Sequence, residues 1–196
     1  LFNDNFNIGK IFSFEANPRI YGVLKKKIKK SRYQNKITLF NCGIGEKKEI
    51  KNLLVFNDSS SSTYNKIDDQ TEYYKRKFFL LSLFSTKKDE LNKKISTKIF
   101  PLSDILEIKN LRRIDILKID TEGYEFNVLK GLNKNQFSKI RYIYFEHHFD
   151  LMIKKNYKYK DIMFLLNQNN FSISCKIKMK FRKTFEYIYE NKDKKI

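Results

Sequence analysis

The chain has 196 residues, which suits a single domain, and its 41% hydrophobic and 15% aromatic content can supply a buried core. Its apolar runs are much shorter than the roughly 20 residues of a bilayer-spanning helix, so the sequence predicts no membrane span. The net charge of +19 favours weak attraction to anionic partners, although the lysines are spread along the whole chain.

Short runs of β-forming residues alternate with stretches of helical spacing. The predicted strands cover residues 10–15, 36–41, 51–56, 98–102, 114–120, 141–146, 171–177 and 184–190. One helix begins at Pro18, and further helical stretches cover residues 73–84, 104–107, 124–132 and 159–169. The alternation predicts an α/β fold with right-handed crossovers and a mostly parallel sheet, and the last two strands predict a C-terminal antiparallel strand pair.

The pattern loosens between residues 64 and 96, where a candidate amphipathic helix is followed by a charged linker over residues 87–94. We interpret residues 64–96 as an insertion over the ligand-binding face of one domain that spans residues 1–196. The serines at 59–62 lie in a polar loop just before it. Their hydroxyls either contact a substrate or belong to an ordinary flexible loop.

The two cysteines, Cys42 and Cys175, lie far apart and lack the spacing of a metal site. We expect both to be reduced, which predicts a cytoplasmic protein, and their simplest role is to fill small positions in strands.

The most informative stretch covers residues 114–132, with the sequence IDILKIDTEGYEFNVLKGL. A run of β-forming residues ends in Asp120, Thr121, Glu122 and Gly123, and helical spacing follows. In an open α/β sheet, ligands bind in the crevice beyond the carboxyl ends of the strands. The acidic cluster is therefore placed for chemistry as well as for solubility.

This stretch resembles the signature of the FkbM-type methyltransferases, in which a hydrophobic strand precedes K-I-D-x-E-G-x-E and a short helix closes on L-K-G. Here the matching letters are KIDTEGYE, from Lys118, and LKG, ending at Gly131. The letters FEANP, from Phe14 to Pro18, are close to the family's F-E-P-N-P. The resemblance implies a Rossmann-like class I methyltransferase sandwich that uses S-adenosylmethionine, mostly for O-methylation.

One element of that family pattern is missing. A methyltransferase of this fold begins with a strand and a glycine-rich turn, D-x-G-x-N-x-G, that touches the methionine end of the cofactor. No such sequence precedes Lys10. We therefore expect a fragment in which the first strand and the glycine-rich turn are missing, with weakened cofactor affinity.

The resemblance implies a cofactor site at the strand ends. Glu15 would accept charge-assisted hydrogen bonds from the ribose hydroxyls, although a helix N-terminus also favours a carboxylate there. Cys42 and Gly43 would edge the adenine ring, with ordinary turn chemistry as the alternative. Asn17 is a further cofactor candidate whose alternative role is the helix N-cap, and Asp120 faces the cofactor.

Methyl transfer to an alcohol needs the acceptor oxygen about 3–3.5 Å from the methyl carbon. It also needs a base, which typically contributes about 10²–10⁴-fold. The candidates are Asp120, Glu122, Glu146 and His147. Adjacent strands lie about 4.8 Å apart, so Asp120 and Glu146 could converge and raise one pKa.

Two alternatives stay open for these residues. Glu122 could simply favour the first turn of the following helix. A divalent cation could be held by Asp120, Glu122 and Glu146, but the sequence assigns no metal. His147 and His148 point in opposite directions on an extended segment, so at most one of them faces the cleft.

The leading hypothesis is methylation of a small-molecule or glycan hydroxyl, without a specific nucleic-acid partner; the acceptor class comes from the resemblance alone. The alternative is a non-catalytic, basic Rossmann-like module that binds nucleic acid or acidic glycan, with steep salt dependence. Against it, aromatic residues do not interleave with basic ones in an RNA-binding pattern. A nicotinamide-dependent oxidoreductase is a third possibility, but this sequence also lacks the phosphate-binding turn that such an enzyme needs.

Overall fold

The computed structural model describes residues 8–55, 62–72, 74–76, 93–108, 111–149, 151–179 and 183–194. The strands are β1 (Ile11–Phe14), β2 (Ile37–Phe40), β3 (Gly43–Ile44), β4 (Glu49–Val55), β5 (Ser62–Thr63), β6 (Lys66–Ile67), β7 (Lys93–Phe100), β8 (Ile114–Ile119), β9 (Ile140–His148), β10 (Ile153–Lys154), β11 (Phe171–Lys178) and β12 (Thr184–Asn191). The helices are α1 (Pro18–Lys29), α2 (Leu102–Ile108), α3 (Glu125–Lys130), α4 (Lys134–Phe137) and α5 (Tyr159–Gln168).

The fold is mixed α/β, and the strand pairing corrects the expectation of a mostly parallel sheet. Parallel pairs join β1 to β2, β3 to β7 and β8 to β9. Antiparallel pairs join β4 to β7, β4 to β5, β6 to β10, β9 to β12 and β11 to β12. Residues 45–48 are too short for the crossover that two parallel strands need, so β4 returns in the opposite direction to β3.

The predicted C-terminal antiparallel pair is confirmed. Strands β11 and β12 pair from Phe171 opposite Asn191 to Lys178 opposite Phe185, with a register irregularity between Ile173 and Cys175. Strand β12 also pairs with β9, so these strands extend the sheet that begins with β8.

Most of the other predicted elements are present with shifted ends. Strand β7 begins at Lys93, inside the stretch expected to be a charged linker, and β9 continues to His148. The two-residue strands β3, β5, β6 and β10 and the short helix α4 were not predicted, because so few residues carry no periodic signal. Of the helix predicted over residues 73–84, residues 74–76 are helical, and residues 73 and 77–84 lie outside the described ranges.

The core lies on one face of the sheet formed by β8, β9, β12 and β11. Side chains alternate along β9, so that Ile143, Phe145 and His147 are buried while the residues between them are partly exposed. The core is completed by residues of α5 and β12, among them Ile162, Leu166, Tyr187 and Tyr189.

Strands β1 and β2 form a separate parallel pair that carries α1. Asn17 caps this helix, because its side chain accepts a hydrogen bond from the Arg19 N–H at 3.0 Å, and Pro18 occupies the first turn. Within the described ranges, the helices are too short or too polar to cross a bilayer.

Candidate active site

A cavity of about 710 Å³ separates β1 from β8. Its walls are mainly apolar, and its polar lining comes from Ser13, Glu15, Ser62, Tyr64, Lys118, Asp120, Thr121 and Glu122. Glu15 follows the carboxyl end of β1, and Asp120 follows the carboxyl end of β8. Two carboxylates from distant parts of the sequence therefore open onto one cavity.

Hydrogen bonds from the backbone and from neighbouring side chains fix the loop that carries Glu15. Its Oε1 accepts from the Asn17 N–H at 2.7 Å, and its carbonyl oxygen accepts from Asn41 Nδ2 at 2.9 Å. Burial raises the pKa of the Glu15 carboxyl, and the Asn17 N–H partly opposes this shift. A partly desolvated carboxylate gains from a ligand that brings hydrogen-bond donors.

The other cofactor candidates divide between the cavity and the helix start. Cys42 and Gly43 line the cavity. Asn17 is 1% exposed, acts as the N-cap of α1 and is not among the residues that line the cavity. Burial raises the pKa of the Cys42 thiol, which keeps it protonated at neutral pH.

Tyr64 is a cavity residue that sequence reasoning missed, because it lies within the predicted insertion. A Cβ atom on Gly43 would come within 2.2 Å of Tyr64 Oη, so any other residue at this position would displace the Tyr64 ring. Tyr64 Oη and Thr97 Oγ1 share a hydrogen bond of 2.8 Å. Burial raises the pKa of Tyr64 to about 12, so the phenol remains protonated at neutral pH.

The acidic turn after β8 adopts backbone angles in the left-handed region, with φ of 48° at Glu122 and 95° at Gly123. Thr63, at the end of β5, and Asn65, just after it, hold the turn in place. Thr63 Oγ1 donates to the Glu122 carbonyl at 2.7 Å, and Asn65 Nδ2 donates to the Gly123 carbonyl at 2.5 Å. A non-glycine residue such as Glu122 is strained in this region, and strain of this kind persists only where the surroundings determine the geometry.

The imidazole of His148 lies between the carboxylate of Glu122 in this turn and that of Glu146 on β9. Its Nε2 lies 3.2 Å from Glu122 Oε2 and 3.5 Å from Glu146 Oε1. Its Nδ1 is 3.1 Å from the hydroxyl of Thr184 on β12. The side chains of His148, Glu122 and Glu146 are 12%, 32% and 19% exposed, so the cluster is partly shielded from water.

His147 lies on the opposite face of β9. It is 2% exposed and packs against the rings of Phe149, Tyr157 and Tyr159. The alternation of side chains along the strand therefore places His148 beside Glu122 and Glu146, whereas the sequence analysis assigned His147 to that role. The sequence could not decide between the two, because its strand prediction stopped at residue 146.

Glu125, the last acidic residue of the signature letters, is fully buried beneath the turn. It accepts hydrogen bonds from the Gly123 N–H at 2.7 Å, the Thr121 hydroxyl at 3.2 Å and the Tyr157 hydroxyl at 2.5 Å. Burial and the neighbouring Glu125 raise the pKa of Tyr157. The position of Glu125 indicates that it shapes the turn from below.

Asp120 is about half exposed, and Lys118 Nζ lies 3.2 Å from its Oδ2. Strand β8 pairs with β9 up to Ile119 opposite Phe145, so Asp120 follows the last pair at the level of Glu146. The hydroxyl of Tyr144 donates to Glu186 Oε1 at 2.6 Å. Burial raises the pKa of Tyr144 to about 12, with further contributions from Glu186, Asp120 and Glu146.

The model of the methyltransferase FkbM domain matches residues 1–173. This chain belongs to the FkbM methyltransferase family. The match includes the strand ends at the cavity and the acidic turn, and membership suggests methyltransferase activity.

Among solved structures, the crystal structure of methyltransferase FkbM from Methylobacillus flagellatus KT matches this chain with a TM-score of 0.50 and 15% sequence identity. The alignment covers 92% of this chain and 36% of the other, so this chain spans just over a third of that relative's length. At this identity the likeness concerns the fold. No curated protein matches the chain.

The acidic residues of the FkbM signature have two locations in this chain. Asp120 and Glu122 line the cavity, whereas Glu125 is buried under the turn. Within the described ranges, no three His, Cys, Asp or Glu side chains are grouped so that they could hold a metal ion.

Proposed function

We propose that this chain is part of a methyltransferase that uses S-adenosylmethionine to methylate a hydroxyl group. The observation that carries the proposal is the shared cavity between β1 and β8, onto which Glu15 and Asp120 both open. We also propose a Rossmann-like arrangement of this site. It is supported by the parallel pairs β1–β2 and β8–β9, in which the carboxyl ends of β1 and β8 lie at this cavity.

The lining residues suit this cofactor. Glu15 offers a partly desolvated carboxylate to the ribose hydroxyls, and the gap beside Cys42 and Gly43 has apolar walls suited to the adenine ring. Asp120 offers negative charge toward a cationic ligand. Asn17 supports this site indirectly, because its backbone N–H orients Glu15 while its side chain caps α1.

The bound cofactor would supply an electrophilic methyl carbon attached to a sulfonium. The protein must then hold the acceptor oxygen beside the cofactor and take up its proton. Asp120 and Glu122 line the cavity and are the carboxylates placed to do this, with Glu146 behind them. We propose a sugar, polysaccharide or other hydroxyl compound as the acceptor, on the basis of the family resemblance.

We further propose that residues 1–196 form one catalytic domain with an insertion over residues 64–96; in support, Thr63 and Asn65, where that insertion begins, hold the acidic turn. In the described part of the chain, no observation favours the non-catalytic basic module. The carboxylates Glu15, Asp120 and Glu122 at the cavity would repel an anionic ligand there.

The decisive experiment is a calorimetric titration of the chain with S-adenosylmethionine at moderate salt. Replacing Glu15→Gln removes a charged acceptor, so we expect binding to weaken by 1.5–3 kcal/mol, or roughly 10- to 100-fold. Asp115→Asn is the matched control, because Asp115 is an exposed carboxylate on β8 whose partner is Arg113.

Binding that is equal in the natural chain and in Glu15→Gln would contradict the assignment of the cavity. The absence of heat with the natural chain at millimolar cofactor would contradict the proposed cofactor itself.

A further inference from the structure

Three side chains from two parts of the fold converge beside the cavity. Glu122 comes from the turn after β8, while Glu146 and His148 come from the end of β9. Of these three, Glu122 lines the cavity. His148 Nε2 lies between the carboxylates, 3.2 Å from Glu122 Oε2 and 3.5 Å from Glu146 Oε1.

The position of His148 Nε2 determines which atom carries a proton. Ionised carboxylates only accept hydrogen bonds, so with Glu122 and Glu146 both ionised the imidazole nitrogen between them carries a proton and donates it. Nε2 is therefore the donor to Glu122 and Glu146, and it cannot also take a proton from a substrate. The other nitrogen, Nδ1, is already 3.1 Å from the Thr184 hydroxyl. The imidazole is thus placed to orient a carboxylate.

We propose that Glu122 is the general base of the methyl transfer and that His148 is a positioning residue, which holds the Glu122 carboxylate toward the acceptor with Glu146 behind it. This inference rests on the proposed function and adds the identity of the base and its support. Three further contacts fix the geometry: Thr63 holds the Glu122 carbonyl, Thr184 reaches His148 Nδ1, and Lys155 Nζ donates to the His148 carbonyl.

The step balances with these groups alone. The acceptor oxygen forms a new C–O bond with the methyl carbon while its O–H proton passes to Glu122. The C–S bond of the methyl donor breaks, and its electron pair remains on sulfur. The protonated Glu122 then releases its proton to water through the exposed third of its side chain.

The test uses the full chain with a hydroxyl acceptor identified by screening neutral oligosaccharides with radiolabelled S-adenosylmethionine. We expect Glu122→Gln to lower kcat by about 10²–10⁴-fold. His148→Ala should lower kcat on the order of 10–100-fold, the loss seen when a residue that orients a metal ligand is removed, while the KM for the acceptor should change little. Added imidazole should restore part of the activity of His148→Ala and none of that of Glu122→Gln.

The matched control is Glu190→Gln, which alters a carboxylate on β12 that accepts a hydrogen bond from Tyr142 instead of from a histidine. Cofactor affinity, measured by calorimetry, should be unchanged in His148→Ala and Glu190→Gln, and circular dichroism should show that all three variants are folded. Unchanged kcat in His148→Ala, or equal losses in His148→Ala and Glu190→Gln, would overturn this inference and leave the proposed function standing. Failure of the natural chain to bind the cofactor would instead overturn the proposed function.

Discussion

The two sides of the cavity differ in how they are held. On one side, β1, α1 and β2 contain no fully buried residue, and Phe14 and Phe40 stack at 4.9 Å in a half-buried contact. On the other side, β9 and β12 present fully buried rings, with Phe145 0% exposed between Tyr187 and Tyr189.

This difference indicates that stability is unevenly distributed around the candidate site. The acidic turn rests on the well-packed C-terminal sheet, while Glu15 belongs to a lightly packed unit. Regions with few buried apolar contacts open at lower free energy than the core. A ligand that touches both sides would therefore order the β1 side more than the β9 side.

The largest expected effect comes from the core of the C-terminal sheet. Phe145→Ala should lower the free energy of unfolding by about 3–5 kcal/mol, because it removes a fully buried ring and leaves a cavity. Phe14→Ala, on the other side, should cost only about 1 kcal/mol. Urea denaturation followed by circular dichroism measures both, and equal losses would contradict the comparison.

A smaller effect is expected beneath the acidic turn. Tyr157→Phe removes the hydroxyl that donates to Glu125 at 2.5 Å and leaves a buried carboxylate oxygen without that donor. We expect a loss of about 1–3 kcal/mol in the free energy of unfolding. Tyr142→Phe, which removes a donor to the less buried Glu190, is the control and should cost less. A Tyr157→Phe variant as stable as the natural chain would show that the network is not structurally important.

The smallest effect concerns Glu15 and the pH. Burial raises the pKa of this carboxyl above 4.5 in the folded chain. Its contribution to stability is therefore fully present below pH 4.5 and is lost as the pH rises through the folded pKa. Glu15→Gln lacks this dependence, so its stability relative to the natural chain should increase between pH 4 and pH 7, by a margin too small to rival the core substitutions.

Thermal unfolding of the natural chain and Glu15→Gln over this pH range measures the difference. A relative stability of the variant that falls as the pH rises would contradict the direction of the shift. With cofactor present, the natural chain should become the more stable of the two at pH 7, because only the natural chain would gain the full stabilisation by binding.

Local chemistry made much of the fold predictable. Asn17 before Pro18 determines where α1 begins, and β-forming residues mark β8 and β9 before any contact is known. The relative direction of the strands was not predictable in this way, because the direction of β4, for example, depends on the short segment that precedes it. The two-residue strand β6 exists only because β10 pairs with it.

The candidate site, like the fold, has residues that the sequence predicted and residues that it did not. The letters KIDTEGYE identify Asp120 and Glu122 as a strand-end cluster from the sequence. The sequence gives no sign that Tyr64 packs against Gly43, since these residues lie apart in the chain and meet only in the folded structure.

By itself, the sequence determined where the acidic turn lies, where α1 is capped and which family the chain resembles, since these depend on neighbouring residues. Tertiary structure alone decided that His148 and not His147 meets Glu122, and that Glu125 is buried. The face to which a side chain points depends on how far its strand continues and what packs against it, and those facts exist only once distant segments have come together.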